Sequence, residues 1–185
     1  MSKAPRKHLA IKSSIQDQFL IACRGGDLNE VNELFRNGIH VNQADGNGWT
    51  PLNFACQKGH SKVVEMLLAV DGIQVNQADD EGTSPLWIAC EGDHSKIVKM
   101  LLAMEGIQVI QVNQADNKGW TPLIIACQNG HSKTVQILLA VEGIQVNQAN
   151  DNGYTPLNTA CHKGHSKVVQ MLLAVDEIQV NQVDN

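Results

Sequence analysis

The sequence has little of what marks membrane, secreted or nucleic-acid-binding chains. No apolar run approaches the roughly 18 residues that span a bilayer. The basic start, with Lys3, Arg6, Lys7 and Lys12, has no apolar stretch behind it, so neither a signal peptide nor a membrane anchor is expected. The net charge of −5 argues against phosphate binding, which needs clustered Lys and Arg. These features predict a cytoplasmic or nuclear protein without a membrane or nucleic-acid partner.

Motifs for metal binding and catalysis are also missing. The five cysteines lie 33, 34, 37 and 34 residues apart, so no C-x-x-C pair exists. Each follows an alanine, and this predicts a small buried residue once per repeat. His162 and His165 are three residues apart but have no further ligands nearby. No phosphate loop, nucleophile elbow or H-E-x-x-H motif occurs, so we expect no enzyme, no cofactor and no metal.

A segment of about 34 residues repeats along the chain. The tripeptide T-P-L or S-P-L recurs at residues 50–52, 84–86, 121–123 and 155–157, and I-Q-V-N-Q closes each of these units. One interval is 37 residues long because I-Q-V-I-Q-V at 107–112 duplicates three residues. We expect this insertion to bulge the connection there and to leave the units on both sides stacked.

Each part of the repeat has a physical role. Thr50 is suited to cap a helix, and Pro51 is suited to its first turn. Leu52 and Ala55 fall on one helical face, and Gly59 ends the helix in a left-handed conformation. A second apolar helix follows. We expect the histidine before it to hydrogen-bond to the backbone of a loop. The turn formers N-Q-A-D-G-N-G then predict a hairpin-like finger.

This pattern resembles the ankyrin repeat family in T-P-L, the alanine after it, G-H, the L-L of the second helix and V-N before the finger. The resemblance implies an all-α repeat solenoid of helix-turn-helix units with β-hairpin fingers. We expect a polar lead-in at 1–14 and an array at 15–185, with units at about 15–45, 46–79, 80–116, 117–150 and 151–185.

Some residues depart from the family pattern. The histidine of T-P-L-H is replaced by Asn53, Trp87, Ile124 and Asn158. In the family this imidazole ties neighbouring turns together, so the resemblance implies a weaker or absent tie here. Asp93 replaces the glycine that ends the first helix, and it tolerates the left-handed conformation less well. Weak spots are therefore expected at the Asp93 unit and at the C-terminus.

The two ends of the array differ. In the first unit Asp17 aligns with the Thr50 cap, and Glu30 and Glu33 replace apolar residues of the second helix, as expected where a face meets water. The second helix of the last unit keeps the apolar residues of an interior unit, and Thr159 is only a weak concession to solvent, that is, one polar residue at a position that is apolar in other units. We expect its outer face to be exposed, so that either the natural chain continues past 185 or the face packs on another copy.

Variation between units concentrates at the fingers and at the ends of the first helices, whereas the second helices are nearly uniform. In the family these variable positions form the concave recognition surface. The predicted partner-binding residues are therefore Gly46, Asn47, Trp49, Gln57, Lys58, Asp80, Glu81, Thr83, Trp87, Glu91, Asn117, Lys118, Trp120, Gln128, Asp151, Asn152, Tyr154 and His162.

The aromatic residues among them have two interpretations. Trp49, Trp120 and Tyr154 share one position, but Thr83 holds it in the third unit, so an aromatic ring is optional for folding. The rings then serve as anchors for a partner, or they cover the backbone of a neighbouring finger. Trp87 is a second exposed-aromatic candidate, at a position that packing between units can bury.

Three functions remain open at this stage. The first is a non-catalytic protein–protein interaction scaffold that uses the fingers and first helices. The second is a targeting or regulatory segment of a larger polypeptide, and the third is a self-assembling array that associates through its C-terminal face. The identity of the partner does not follow from the sequence, because a fold does not fix a function.

Overall fold

The computed structural model describes residues 14–104 and 110–181, and within them the chain forms ten helices in five successive pairs. Each unit contributes a first and a second helix. The pairs are α1 (Ile15–Gly25) with α2 (Leu28–Phe35), α3 (Pro51–Gln57) with α4 (Ser61–Leu68), α5 (Pro85–Glu91) with α6 (Ser95–Leu102), α7 (Pro122–Gln128) with α8 (Ser132–Leu139), and α9 (Pro156–His162) with α10 (Ser166–Leu173).

The predicted caps begin the first helices of units two to five. Thr50, Ser84, Thr121 and Thr155 each accept a hydrogen bond from the backbone N–H three residues later, and a proline follows each cap. Unit one differs, since α1 begins after Ser14. The prediction that Asp17 is its cap was wrong: Ser14 is the cap, and Asp17 accepts from the Ser14 N–H at 2.9 Å in a capping box.

The units stack in order along the chain. First helices pack on first helices from α1 through α3, α5 and α7 to α9, and second helices do the same from α2 to α10. The buried faces of these helices merge into one hydrophobic cluster that runs through the array, including Phe19, Leu52, Leu86, Leu123 and Leu172. Each unit is thus held mainly by the unit before it and the unit after it.

Asparagines of the V-N-Q motif fasten each unit to the next. The Nδ2 of Asn42 donates to the Gly72 carbonyl at 2.8 Å, and its Oδ1 accepts from the Gln74 N–H at 2.9 Å. Asn113 and Asn147 make the same pair of bonds two units and three units further on. The repeated asparagine therefore aligns the loops that follow the second helices.

The duplicated I-Q-V-I-Q-V segment keeps this alignment. The predicted bulge falls mainly on residues 105–109, which lie outside the described part of the chain. Beyond them, the Gln111 N–H donates to Asn76 Oδ1 at 2.9 Å, as the Gln74 N–H does to Asn42. Helix α5 packs on α7 and α6 packs on α8, so the units on both sides remain stacked, as predicted.

A histidine before the second helix of units two to five contacts the preceding unit. His60 Nε2 lies 3.0 Å from the Arg24 carbonyl, and the same contact recurs at His94, His131 and His165. The ring of His60 covers Gly26, where a Cβ atom would lie only 2.5 Å from the ring. Because Gly26 also has a φ of 77°, glycine meets two requirements here. These histidines bond backbone, as predicted, but the carbonyls lie at the ends of the first helices and not in loops.

Asp93 breaks this glycine pattern and has its own partners. It is the non-glycine residue with positive φ in the described chain, at 54°. Its Oδ1 accepts from the Thr134 hydroxyl at 2.8 Å, and its Oδ2 lies 3.9 Å from His131 Nδ1. Thr134 occupies a position held by Val63, Ile97 or Val168 in other units. A change in one unit is thus matched by a change in the next.

The fingers are tight turns, and no β-strand occurs in the described residues, so hairpins are not what the structure shows. Asp45 Oδ1 accepts from the N–H groups of Asn47 and Trp49, both at 2.9 Å, and closes the turn around Gly48. Asp79, Asp116 and Asn150 repeat this arrangement. Neighbouring tips share a single backbone bond, such as Asp80 N–H to the Asn47 carbonyl at 3.2 Å.

The outermost units expose different surfaces. Glu30 and Glu33 of α2 are exposed, as expected for a face in water. In the last unit Leu173 is 51% exposed and Val180 is 60% exposed. Thr159 is only 3% exposed, so its interpretation as a concession to solvent was wrong.

Across the described residues, every helix falls short of the length and hydrophobicity that a membrane crossing requires.

Candidate protein-binding surface

The predicted partner-binding residues lie on the fingers and along the first helices. Thr83 and Trp87 are buried. Five are half-buried: Trp49, Gln57, Trp120, Gln128 and Tyr154. Eleven are exposed: Gly46, Asn47, Lys58, Asp80, Glu81, Glu91, Asn117, Lys118, Asp151, Asn152 and His162.

The larger groove on this surface lies between units two and three and has a volume of about 390 Å³. Eight of its ten lining residues are among those predicted from variation between units. These are Asn47, Trp49, Gln57, Asp80, Glu81, Thr83, Trp87 and Glu91, and the two others are Asp79 and Ile88. We call it the acidic groove, because its lining holds four carboxylates and no lysine or arginine.

The carboxylates of the acidic groove are not equivalent. Asp79 is 9% exposed and is engaged within its own turn, where it accepts from the Glu81 N–H at 3.0 Å and from Thr83. Asp80, Glu81 and Glu91 have exposed side chains and form no ion pair within the described residues. Partial burial raises the pKa of the Glu91 carboxyl above its usual range, since desolvation disfavours its charge.

Trp49 has both a structural contact and a surface on the groove. Its ring centroid lies 5.2 Å from that of Phe54 at an interplanar angle of 38°, and the Arg24 guanidinium lies 5.6 Å from the Phe54 ring centroid. The ring is nevertheless only half-buried and lines the acidic groove. Local packing thus orients the ring without covering it.

Trp87 ties two units together. Its side chain is only 8% exposed, so of the two interpretations of Trp87 the structure supports burial between units. Its indole N–H donates to the Trp120 carbonyl at 2.9 Å, in the finger of the next unit. One unit earlier, Asn53 Nδ2 donates to the Thr83 carbonyl at 3.4 Å, a longer and weaker bond. We expected the bond between neighbouring turns to weaken because the histidine of T-P-L-H is replaced. At Asn53 and Trp87 other donors retain that bond.

A second groove, of about 230 Å³, lies between units four and five. It is lined by Trp120, Gln128, Tyr154, Thr159, His162 and Lys163. We call it the basic groove, because Lys163 and His162 line it and no carboxylate does. The Tyr154 and His162 rings pack with their centroids 6.4 Å apart. The Thr159 hydroxyl is buried and has no hydrogen-bond partner among the described residues.

The family sequence model described as "Ankyrin repeats (3 copies)" matches residues 19–113 and again residues 107–184. The chain belongs to the ankyrin repeat family. This agrees with the stacked helix pairs and with the T-P-L and G-H steps of units two, four and five. Ankyrin repeats generally mediate protein–protein interaction, and the fold is typically non-catalytic.

Curated ankyrin relatives match part of the chain. It is 43% identical over 54 residues to "Ankyrin repeat domain-containing protein 40" of Mus musculus and of Homo sapiens, which covers 29% of this chain and 15% of each relative. It is 35% identical over 69 residues to "Eye-specific diacylglycerol kinase" of Drosophila melanogaster, covering 35% of this chain and 5% of that protein. The matches therefore span a small part of these relatives.

Most cysteines of the ankyrin array are buried, as predicted. Burial raises the pKa of Cys23 to about 12 and raises the pKa values of the Cys56, Cys90 and Cys127 thiols well above their usual range. Cys161 is exposed, so the prediction of a buried residue was wrong there. Within the described residues, no group of three His, Cys, Asp or Glu side chains is placed to hold a metal ion.

Sequence reasoning missed four residues that line the two grooves: Asp79, Ile88, Thr159 and Lys163. Asp79 belongs to a finger, yet the turn folds its side chain inward. Of these four, Thr159 could have been identified from the sequence, because its hydroxyl contrasts with the apolar side chains of Phe54, Ile88 and Ile125 at the equivalent positions.

Proposed function

We propose that this ankyrin chain is a non-catalytic protein-binding scaffold whose partner docks on the fingers and first helices, the concave face in the family. The observation that carries the proposal is the acidic groove, because it lies where the sequence of the units varies most. The second helices are nearly uniform and lie on the other side of each unit.

The half-buried aromatic rings support this choice of face. Trp49 lines the acidic groove, and Trp120 and Tyr154 line the basic groove. Tryptophan and tyrosine are the residue types most often found at interface hot spots. A ring held by neighbours, as Trp49 is by Phe54, loses little conformational freedom when a partner binds.

The experiment replaces the three rings with the residue that this chain itself uses at the same position. Trp49→Thr, Trp120→Thr and Tyr154→Thr follow the pattern of Thr83, whose hydroxyl bonds to Asp79 within the turn. We expect the triple variant to keep its helicity by circular dichroism and to lose the partner that the unchanged chain captures from cell lysate, as identified by mass spectrometry.

A matched control changes the other side of the array. Lys62→Ala, Lys133→Ala and Lys167→Ala remove three exposed lysines from second helices. We expect this variant to capture the same partner as the unchanged chain. Loss of the partner with the lysine variant but not with the threonine variant would place binding on the second helices. Unfolding of the threonine variant would assign the rings to the core.

Self-association through the last unit is a second candidate function, which exposed apolar side chains favour. Leu173 and Val180 are 51% and 60% exposed, and Ile178 and Val180 line a shallow surface pocket. Light scattering across a concentration series tests it. A single monomeric mass at all concentrations would remove this candidate and leave the partner-binding proposal unchanged.

A targeting or regulatory segment of a larger polypeptide is the third candidate. The chain spans only 15% and 5% of the curated relatives that it matches. Sequencing of the full transcript distinguishes this candidate from a free-standing scaffold. A stop codon directly after residue 185 would contradict it.

A further inference from the structure

The acidic and basic grooves occupy the same place in the repeat, two units apart. Trp49 and Gln57 of the acidic groove correspond to Trp120 and Gln128 of the basic groove, each 71 residues further along. By the same offset Glu91 corresponds to His162. The two grooves therefore share a Trp–Gln wall, but carboxylates line the acidic groove, whereas Lys163 and a histidine line the basic groove.

The other positions of the two grooves differ in a consistent way. In the acidic groove Thr83 stands where the basic groove has Tyr154, so the acidic groove lacks a ring there and is the larger, at about 390 Å³ against 230 Å³. Ile88 gives the acidic groove an apolar side chain, whereas Thr159 at the equivalent position gives the basic groove a hydroxyl without a partner among the described residues. A buried hydroxyl without a partner is costly and is a ready hydrogen-bonding group for a polar ligand.

On the basis of the proposed function, we infer that the partner presents an extended segment with a lysine or arginine in the acidic groove and an aspartate or glutamate in the basic groove. Asp80, Glu81 and Glu91 attract the cation, and the Trp49 ring borders the same groove. Lys163 and His162 attract the carboxylate, and the buried Thr159 hydroxyl adds a polar group to the lining.

The spacing of the two charged residues follows from the repeat. Neighbouring helices pack about 8–10 Å apart, so grooves two units apart are separated by roughly 16–20 Å. An extended chain rises about 3.3 Å per residue, so the basic and the acidic side chains lie about five to six positions apart. The order of charges also sets the direction of the segment, since the reversed order would place like charges together.

Glu91 shows why a cation is the fitting occupant. Partial burial raises the pKa of its carboxyl. No lysine or arginine of the described chain lines the groove. An incoming ammonium or guanidinium supplies that missing charge. Lys118 and Asp151 are exposed on neighbouring finger tips, where the Asp151 N–H donates to the Lys118 carbonyl at 3.1 Å.

The test selects peptides on the full chain. Random displayed peptides of about twelve residues, long enough to cross three units when extended, are panned on the immobilised protein. We expect enrichment of peptides with Lys or Arg and Asp or Glu about five to six positions apart in one fixed order. The enriched peptides are then synthesised and their Kd values measured by fluorescence anisotropy.

Charge reversal at each groove provides the decisive comparison. Asp80→Lys with Glu91→Lys should weaken the selected peptide at least about tenfold, and a peptide with its basic residue changed to glutamate should recover that loss. His162→Glu with Lys163→Glu should weaken the same peptide and be rescued by a lysine in place of its acidic residue. Lys62→Glu with Glu65→Lys, on an exposed second-helix surface, should leave the Kd unchanged.

Other outcomes separate the inference from the proposed function. Enriched peptides without the charge pattern, but lost with the Trp49, Trp120 and Tyr154 threonine variant, would overturn the inference and keep the binding face. Enriched peptides unaffected by that variant would overturn both. No enrichment over the bare support would overturn the inference, and capture of a protein partner from lysate would still decide the proposed function.

Discussion

The indole N–H of Trp87 donates to the backbone carbonyl of Trp120 at 2.9 Å, across the boundary between the third and fourth units. The donor lies on a first helix and the acceptor lies in the next finger. The bond therefore fixes the finger that carries Trp120 relative to the helix that lines the acidic groove. Stability and the shape of the binding surface are coupled at this point.

Trp87→Phe tests that bond. The variant loses the donor and part of the buried ring, whereas the Trp120 carbonyl keeps its bond from Asp116, so we expect a loss of about 1–2 kcal/mol in the free energy of unfolding. Urea denaturation followed by circular dichroism measures it. Trp49→Phe is the control, because the Trp49 indole donates no hydrogen bond within the described residues, and it should cost less. Equal losses would show that the Trp87 bond adds nothing.

Asp93 and Thr134 should be energetically coupled. Asp93→Gly removes the steric cost of the positive φ but leaves the buried Thr134 hydroxyl unpaired. Thr134→Val alone removes the hydroxyl that donates to Asp93. The double variant restores the pattern of the other units, so we expect it to be more stable than the sum of the single effects, by about 0.5–1 kcal/mol. Urea unfolding of all four proteins gives the coupling. Additive effects would mean that the hydrogen bond does not offset the strained aspartate.

Thr159→Val should stabilise the protein. Thr159 is 3% exposed and its hydroxyl has no partner in the described chain, so a valine of similar shape removes an unsatisfied group, worth about 1 kcal/mol. Thr155→Val, one helical turn earlier and equally buried, should instead destabilise by about 1 kcal/mol because the Thr155 hydroxyl caps α9. Thermal melts measure both. A destabilised Thr159→Val protein would show that the hydroxyl is satisfied in solution.

Cys161 should be the thiol that reacts first. It is exposed, whereas Cys23, Cys56, Cys90 and Cys127 are buried and burial raises their pKa values, so these four stay protonated and inaccessible at neutral pH. Mass spectrometry after brief maleimide treatment of the native chain should find one modification, at Cys161. All five should react in denaturant. Early labelling of Cys90, at the centre of the array, would contradict the stacked core.

The repeat itself could be predicted because its signals are local. A cap, a proline and an alanine at fixed spacing specify a short helix whatever its neighbours, and Thr50 and Thr121 behave as expected. The cap of unit one was misplaced because the alignment with later units assigned it to Asp17. The local S-x-x-D pattern at Ser14 was the better guide.

The binding surface was only partly predictable because burial depends on contacts between units. Variation identified eight lining residues of the acidic groove, but it could not show that Trp87 bridges to Trp120 or that Asp79 folds inward. The Asp93–Thr134 bond crosses 41 positions and is likewise invisible to spacing within one unit. Comparison of paired departures in neighbouring units was the signal that could have revealed it.

Hydrogen–deuterium exchange of the chain, alone and saturated with the protein that it captures, tests the location of the binding surface most directly. We predict slower exchange in the finger turns at 45–49, 79–83, 116–120 and 150–154 and at the ends of α3, α5, α7 and α9. Exchange in the second helices α4, α6, α8 and α10 should not change. Protection confined to those second helices would contradict the account.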